Sequence, residues 1–166
     1  MIFEPLTQLP TAWSMVSGRF GVHLFEGALT VDEMSEMQRR GNAWHAEHPG
    51  RIVELVVIYP SDNRMTQAER SKMVQLMKQW EDVRDAAATV ILAEGLLGSL
   101  QRSILTGLMM LAPAPHPAKV FSAVDLAVEF LAPYVRALTP GLSQAAVRAL
   151  IEQFEQRPGR AVSHGG

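Results

Sequence analysis

A run of strand-forming residues, Ile52-Val53-Glu54-Leu55-Val56-Val57-Ile58-Tyr59, is followed after a short loop by Thr66-Gln67-Ala68-Glu69. The first run is rich in β-branched residues and apolar on both faces, which is typical of a central strand covered by helices on both sides. The second places a hydroxyl at the N-cap and a carboxylate three residues later, the capping box that begins a helix. Together they predict a buried strand that leads into a helix.

The same hydroxyl–carboxylate spacing occurs twice more. Thr30-Val31-Asp32-Glu33 follows the apolar run from Phe20 to Glu26, and Ser122-Ala123-Val124-Asp125 follows Lys119-Val120-Phe121. A further buried strand is predicted from Ala87 to Ala93. Strands that alternate with helices predict an α/β fold with a mostly parallel sheet, because each strand–helix–strand unit makes a right-handed crossover.

The N-terminal part adds an antiparallel element to this sheet. Ala12 to Ser17 and Phe20 to Glu26 flank a turn at Ser17-Gly18-Arg19, which predicts a β-hairpin. The fold class is therefore a mixed, mostly parallel α/β sheet with an N-terminal hairpin and helices packed on the sheet. We expect Met1 to Thr11, which contains two prolines and little periodicity, to lie over the surface.

The predicted domain organisation is simple. We expect residues 1–138 to form one domain, residues 139–156 an additional helix and residues 157–166 a disordered tail. The additional helix has an apolar stripe of Leu142, Ala146, Leu150 and Phe154. A helix of this length is marginal in water when isolated, so the stripe must pack on its own domain, which we favour, or on a second copy in a homodimer.

Composition excludes several classes of protein. The formal charge is −2, from 15 basic and 17 acidic residues, so the basic excess of a nucleic-acid-binding protein is absent. There is no cysteine, hence no disulfide and no thiol nucleophile. The stretch from Leu96 to Ala112 is interrupted by Gln101 and Arg102 and is too short to span a membrane. With no secretory signal at Met1, we expect a cytoplasmic protein.

One candidate ligand site follows the strand from Ala87 to Ala93, since ligands bind at the carboxyl ends of strands in open α/β sheets. A slim helix is predicted from about Leu97 to Leu111, and Met109-Met110 near its end could form an adaptable binding surface. The alternative is structural, with Gly95 forming a turn and Arg102 a salt bridge. The residues at this site are Glu94, Gly95, Ser99, Arg102, Met109 and Met110.

No motif specifies a reaction. The sequence lacks a dinucleotide-binding glycine motif, a P-loop and a nucleophile elbow. His45 and His48 could share a helix face, but no third metal ligand is near, and histidines at a helix C-terminus also suit the helix dipole. We therefore predict no catalytic residues, no metal and no cofactor.

The layout from about Thr11 to Tyr134 resembles a STAS-type domain, the fold of bacterial anti-sigma-factor antagonists, and is also similar to the lipid-binding Sec14 class. The phrases Arg102-Ser103-Ile104-Leu105-Thr106-Gly107-Leu108 and Lys119-Val120-Phe121-Ser122 are similar to uncharacterised bacterial STAS-like proteins. In the antagonists, a phosphorylated serine or threonine after the central strand switches partner binding. The matching loop here runs from Ser61 to Thr66 and lacks the Asp-Ser-Ser-Gly-like signature.

The resemblance implies a bacterial, non-catalytic regulatory or scaffold module that binds another protein. Its partner surface would include Ser61, Asp62 and Thr66 of this loop, the helix that Thr66 begins, and the slim helix. The alternative, suggested by the Sec14-like layout and the Leu- and Met-rich slim helix, is a binder of a small apolar or acyl ligand.

Overall fold

The computed structural model describes residues 3–61, 65–96, 98–99, 101–103, 106, 114–139 and 142–158. Its six strands form one sheet in chain order. The second strand is antiparallel to the first and to the third, and the third to sixth are parallel. The mixed sheet with an N-terminal hairpin is thus confirmed. The strands are β1 (Glu4–Leu9), β2 (Ala12–Ser17), β3 (Phe20–Phe25), β4 (Ile52–Ile58), β5 (Arg84–Ile91) and β6 (Ala118–Phe121).

Strand β1 was not predicted, so the expectation that Met1 to Thr11 lies over the surface was wrong for its larger part. Proline normally disrupts a sheet because it has no N–H to donate. Here Pro5 lies in an edge strand, beside a register shift between Pro5 and Thr7. Both positions tolerate proline, since an edge strand pairs on one side only and a bulge already interrupts the ladder.

The helices form a layer on each side of the sheet. They are α1 (Val31–Glu47), α2 (Gln67–Gln79), α3 (Val124–Leu138) and α4 (Gln144–Glu155), with a short 3-10 helix at Glu81–Val83. Residues 95–96, 98–99, 101–103 and 106 are also helical, so the slim helix begins about two residues before its predicted start at Leu97. The other residues of that helix, including Met109 and Met110, lie outside the described residues. Among the described residues, no helix has the length and apolar character of a membrane span.

The two helix layers cover very different faces. The main apolar core joins Val53, Leu55 and Val57 of β4 to α3 and α4, whose buried residues include Leu131 and Phe154. On the other face, α1 and α2 pack on a small cluster of three buried residues, Ala12, Leu29 and Met34, with half-buried side chains around it. No residue of α2 is buried. The apolar core therefore lies almost entirely under α3 and α4.

Two of the three predicted capping boxes are confirmed. Thr30 and Thr66 each accept from the backbone N–H of the residue three positions later, Glu33 and Glu69, whose carboxylates accept in return from the cap N–H. The box at Ser122 was wrong, since Ala123 is the N-cap of α3 and makes no side-chain cap.

Asp125, the expected carboxylate of the third box, instead accepts two hydrogen bonds from Arg148 of α4, at 3.0 and 2.7 Å. Helix α3 continues through Pro133 without a break. Helix α4 begins at Gln144, later than expected, and is capped by the hydroxyl of Ser143.

Arg157, which we expected at the start of a disordered tail, is instead buried, with 9% of its surface exposed. Its guanidinium donates to the carbonyls of Pro10 at 2.8 Å and Phe154 at 2.6 Å, and to the carboxylate of Glu26. It also lies 3.6 Å from the centre of the Phe154 ring. One side chain thus ties the end of α4 to the β1–β2 turn and to the end of β3.

We expect Arg157→Ala to lower the free energy of unfolding by about 3 kcal/mol, because it breaks a buried ion pair and its hydrogen bonds. Urea unfolding followed by circular dichroism measures this change. The control is Arg148→Ala, which removes the exposed ion pair between α4 and Asp125 and should cost less than about 1 kcal/mol. Equal effects of the two substitutions would contradict the role assigned to Arg157.

Candidate functional site

The predicted loop site lies where β3 and β4 end on the same edge of the sheet. Ser61 is exposed, and its Oγ would lie 3.3 Å from a Cβ placed on Gly27, in the loop after β3. The two loops therefore adjoin. Thr66 uses its hydroxyl to cap α2, accepting from the Glu69 N–H at 3.2 Å. Asp62 lies outside the described residues.

The predicted site after β5 is held by Arg102. Its guanidinium donates to the carbonyls of Ile91 at 3.1 Å and Ala93 at 2.9 Å, and to the Ser99 hydroxyl at 3.4 Å. The structural alternative predicted a salt bridge for Arg102. Its guanidinium instead donates to backbone carbonyls at the end of the strand. Glu94 is exposed, and Gly95 turns the chain with a φ of +66°. The structure brings Arg102 and Ser99 together and leaves Glu94 in solvent.

His45 and His48 do not converge on a metal site. His45 Nε2 lies 3.0 Å from the Gly50 carbonyl, and His48 Nδ1 lies 3.0 Å from the Trp44 carbonyl. The His48 ring stacks on Trp44, and the His45 ring meets Trp80 edge-on. No group of three or more metal-ligating side chains occurs within the described ranges.

The sequence reasoning missed a chain of polar side chains that crosses the sheet under α1 and α2. Ser14 Oγ lies 2.8 Å from His23 Nδ1, and His23 Nε2 lies 3.5 Å from the carboxylate of Glu54. The other carboxylate oxygen of Glu54 accepts from Arg84 Nε. Arg84 also donates to the Met77 carbonyl at 3.1 Å, in the last turn of α2. We call Ser14, His23, Glu54 and Arg84 the polar network.

The available signal for this network was Glu54 itself, the one charged residue in the strand Ile52 to Tyr59. A buried carboxylate requires a cation and hydrogen bonds, so its partners had to exist elsewhere in the fold. Gly21 makes room for them, because a Cβ there would lie 3.2 Å from His23 Nε2.

Electrostatics keep Glu54 ionised. Burial raises the pKa of its carboxyl, but the Arg84 guanidinium and the hydrogen-bonded His23 outweigh burial and hold that pKa at about 2. His116 lies nearby and is buried, and its Nδ1 has no hydrogen-bond partner within the described residues. Burial and the Arg84 charge lower the pKa of His116, which favours a neutral imidazole beside the guanidinium.

The order serine, imidazole, carboxylate is also that of a hydrolase triad, but the environment differs. Ser14 is 5% exposed and lies in the middle of β2 under the helix layer. The Glu54 charge is already balanced by Arg84, whereas a triad carboxylate orients and stabilises the imidazolium. The arrangement therefore suits a structural network that ties α2 to the sheet.

Helix α2 contacts its neighbour through polar groups as well as through the small apolar cluster. Lys72 Nζ donates to Gln38 of α1 at 2.7 Å, and Gln79 donates to Asn42 of α1 at 2.8 Å. On its outer side, Val74 and Met77 are 51% and 48% exposed. They are three residues apart and so share a helix face, and the exposed cations Arg70 and Lys78 flank them. We call these four residues the α2 face.

The opposite side of the molecule carries an apolar groove of about 300 Å³ between α3, α4 and the start of β3. Its described lining is largely apolar, and Arg136, Ser143 and Gln144 are its polar members. The apolar members are Phe20, Val128, Leu131, Ala132, Val135, Leu142 and Val147.

Comparison with known proteins gives the fold. No family model matches the chain, and no curated protein matches its sequence. The structure is similar to an uncharacterised protein of the DUF3478 family from Shewanella loihica PV-4, described as having a SpoIIAA-like fold. The match has a TM-score of 0.55 and 15% identity, and covers 78% of this chain and 91% of the other. The chain therefore has a SpoIIAA-like, STAS-like fold, as its layout predicts.

We expect Glu54→Gln to remove an acid-sensitive part of the stability. The pKa of Glu54 is lowered from 4.5 to about 2 in the folded state, so the stabilisation is complete above about pH 4.5 and is lost as the pH falls towards 2. This difference corresponds to about 3 kcal/mol. Urea unfolding should show that deficit at pH 7 and convergence with the parent protein near pH 2.

The control for this experiment is Glu36→Gln. Hydrogen bonds from Arg39 and Arg40 also lower the pKa of Glu36 to about 2, but both arginines are exposed and Glu36 is partly exposed. Since exposed ion pairs are screened, we expect little change in the free energy of unfolding at about 0.15 M salt. A Glu54→Gln protein as stable as the parent at pH 7 would show that the network does not stabilise the fold.

Proposed function

We propose that this protein is a non-catalytic regulatory or scaffold module that acts by binding another protein through the α2 face. The observation that carries the proposal is the exposed pair Val74 and Met77 on α2, a helix that buries none of its residues. The SpoIIAA-like fold fits an interaction module.

The α2 face differs from other exposed apolar positions on the molecule. Single exposed apolar residues are common on protein surfaces and need no function. Within the part of the chain that the structure describes, Val31, Leu96 and Leu126 are of this kind, each on a different helical segment. Val74 and Met77 lie next to each other, as the anchors of a helix-mediated interface do.

The charges around the pair define the chemistry of the partner. Arg70 and Lys78 are four residues before and after Val74, and they have no ion-pair partner within the described residues. A partner with an apolar contact bordered by Asp or Glu side chains would complement both features. Such rim charges act mainly on the association rate and its salt dependence.

The polar network connects the α2 face to the sheet, so binding at α2 would affect contacts within the sheet. Met77 belongs to the α2 face through its side chain, and its carbonyl accepts from Arg84, which pairs with Glu54. A partner that shifts the last turn of α2 would therefore disturb this buried ion pair. Ser61 and Thr66 lie near the other end of α2, and Glu94, Gly95, Ser99 and Arg102 follow β5; we propose that these residues border the partner surface.

A second function, the binding of a small apolar or acyl ligand, is favoured by the groove between α3 and α4. Its volume of about 300 Å³ is at the lower end of the range for small-molecule sites. Because this groove and the α2 face lie on opposite layers, the two functions are compatible and can be tested separately.

We expect a photo-reactive amino acid in place of Val74 to cross-link to a specific partner in a lysate of the source organism. The same probe at Leu126, which is 50% exposed on α3, is the matched control. A partner-specific adduct at position 74 and none at 126 would support the α2 face. A homodimer would appear as an adduct of the chain with itself.

Charge reversal provides the second arm of this experiment. Arg70→Glu and Lys78→Glu together should reduce the yield of the adduct at least about fivefold, because they place like charges opposite an acidic rim. Circular dichroism would check that the fold is unchanged. An adduct of the same yield at positions 74 and 126, insensitive to charge reversal, would contradict the proposal.

A further inference from the structure

We infer that the groove between α3 and α4 binds an alkyl carboxylate, with its chain along the apolar floor and its carboxylate on Arg136. This inference rests on the second function proposed above and names the ligand class and the residues that recognise it.

The floor of the groove is apolar and would suit an apolar chain. Phe20, Leu131 and Val147 line it and are each 1% exposed, and Val135 is 8% exposed. Leu142 and Ala132 are half buried at its sides. No charged residue other than Arg136 lines the groove within the described residues. An apolar chain placed along these residues would gain favourable burial.

Arg136 places a positive charge at one end of the groove. It is exposed and lines the groove, and it has no ion pair within the described residues. Every other described arginine near α4 is engaged, since Arg148 pairs with Asp125 and Arg157 with Glu26. A planar guanidinium that has no ion-pair partner matches the two oxygens of a carboxylate.

The position of Arg136 also has a structural explanation, which the experiment must separate. It lies in the last turn of α3. A positive charge there interacts favourably with the helix dipole whether or not a ligand is bound. The dipole does not account for an apolar groove beside the guanidinium. A ligand with an apolar chain and an anionic end accounts for both.

The experiment is isothermal titration calorimetry of the full chain with decanoate and with decan-1-ol, below their aggregation concentrations. The two probes share the chain and differ in the charged end. We expect decanoate to bind more tightly than decan-1-ol. Arg136→Gln should weaken decanoate about fivefold, the effect of losing one partly exposed ion pair, and leave decan-1-ol unchanged. Arg136→Lys should restore most of the preference, and Arg148→Gln should have no effect.

The groove itself is tested by Ala132→Phe, which places a ring in it from a half-buried position. We expect this variant to lose binding of both probes while its thermal unfolding stays cooperative. Methyl NMR of Leu131 and Val147 in the parent protein provides a second readout, since decanoate should shift both signals even if Ala132→Phe fails to fold.

The outcomes separate the inference from the function on which it rests. Binding of both probes with equal affinity, unchanged by Arg136→Gln but abolished by Ala132→Phe, would overturn the carboxylate inference and keep the apolar-ligand function. No binding of either probe would overturn both. Binding that shifts neither methyl signal and survives Ala132→Phe would place the ligand elsewhere and also overturn the inference.

Discussion

A carboxylate buried in the middle of the sheet constrains much of what surrounds it. Glu54 lies between apolar residues of the central strand, where an unpaired charge would be costly to bury. Arg84 neutralises it, His23 adds a second contact, and Gly21 leaves the space that the imidazole needs. Arg84 also binds the Met77 carbonyl. The same ion pair therefore joins β3, β4, β5 and the end of α2.

This constraint divides the molecule into two unlike layers. Under α3 and α4 the sheet is apolar, and the main core there includes Leu55, Leu131 and Phe154. Under α1 and α2 the sheet carries the polar network, and the helices meet partly through amide and ammonium side chains. Polar contacts exchange with water at little net cost. This difference supports the proposal that a partner binds on the α1–α2 layer.

The two proposed activities follow this division. The α2 face offers apolar anchors between cations on the polar layer, whereas the groove of Phe20, Leu131 and Val147 lies in the apolar layer. The similarity to a SpoIIAA-like structure at 15% identity establishes the fold alone. Both proposals therefore depend on side chains of this chain and on their surroundings.

The sequence by itself determined the strand–helix order from β2 onwards, the hairpin and two helix starts, because these depend on local periodicity and on contacts three residues apart. Thr30 with Glu33 and Thr66 with Glu69 are contacts of this kind. Local signals failed where a distant residue intervened. Asp125 pairs with Arg148 of α4, and Pro5 is accepted in β1 because that strand lies at the edge of the sheet.

Only the tertiary structure decided where the charged residues go. Glu54 and Arg84 are thirty residues apart in sequence, and Glu26 and Arg157 are separated by most of the chain. No local pattern relates such pairs, since their proximity arises from the parallel alignment of strands and from the return of α4 to the sheet. For the same physical reason, the sequence predicted a disordered tail at Arg157 and gave no sign of the partners of Glu54. Tertiary packing buries both side chains and pairs each with a residue distant in sequence.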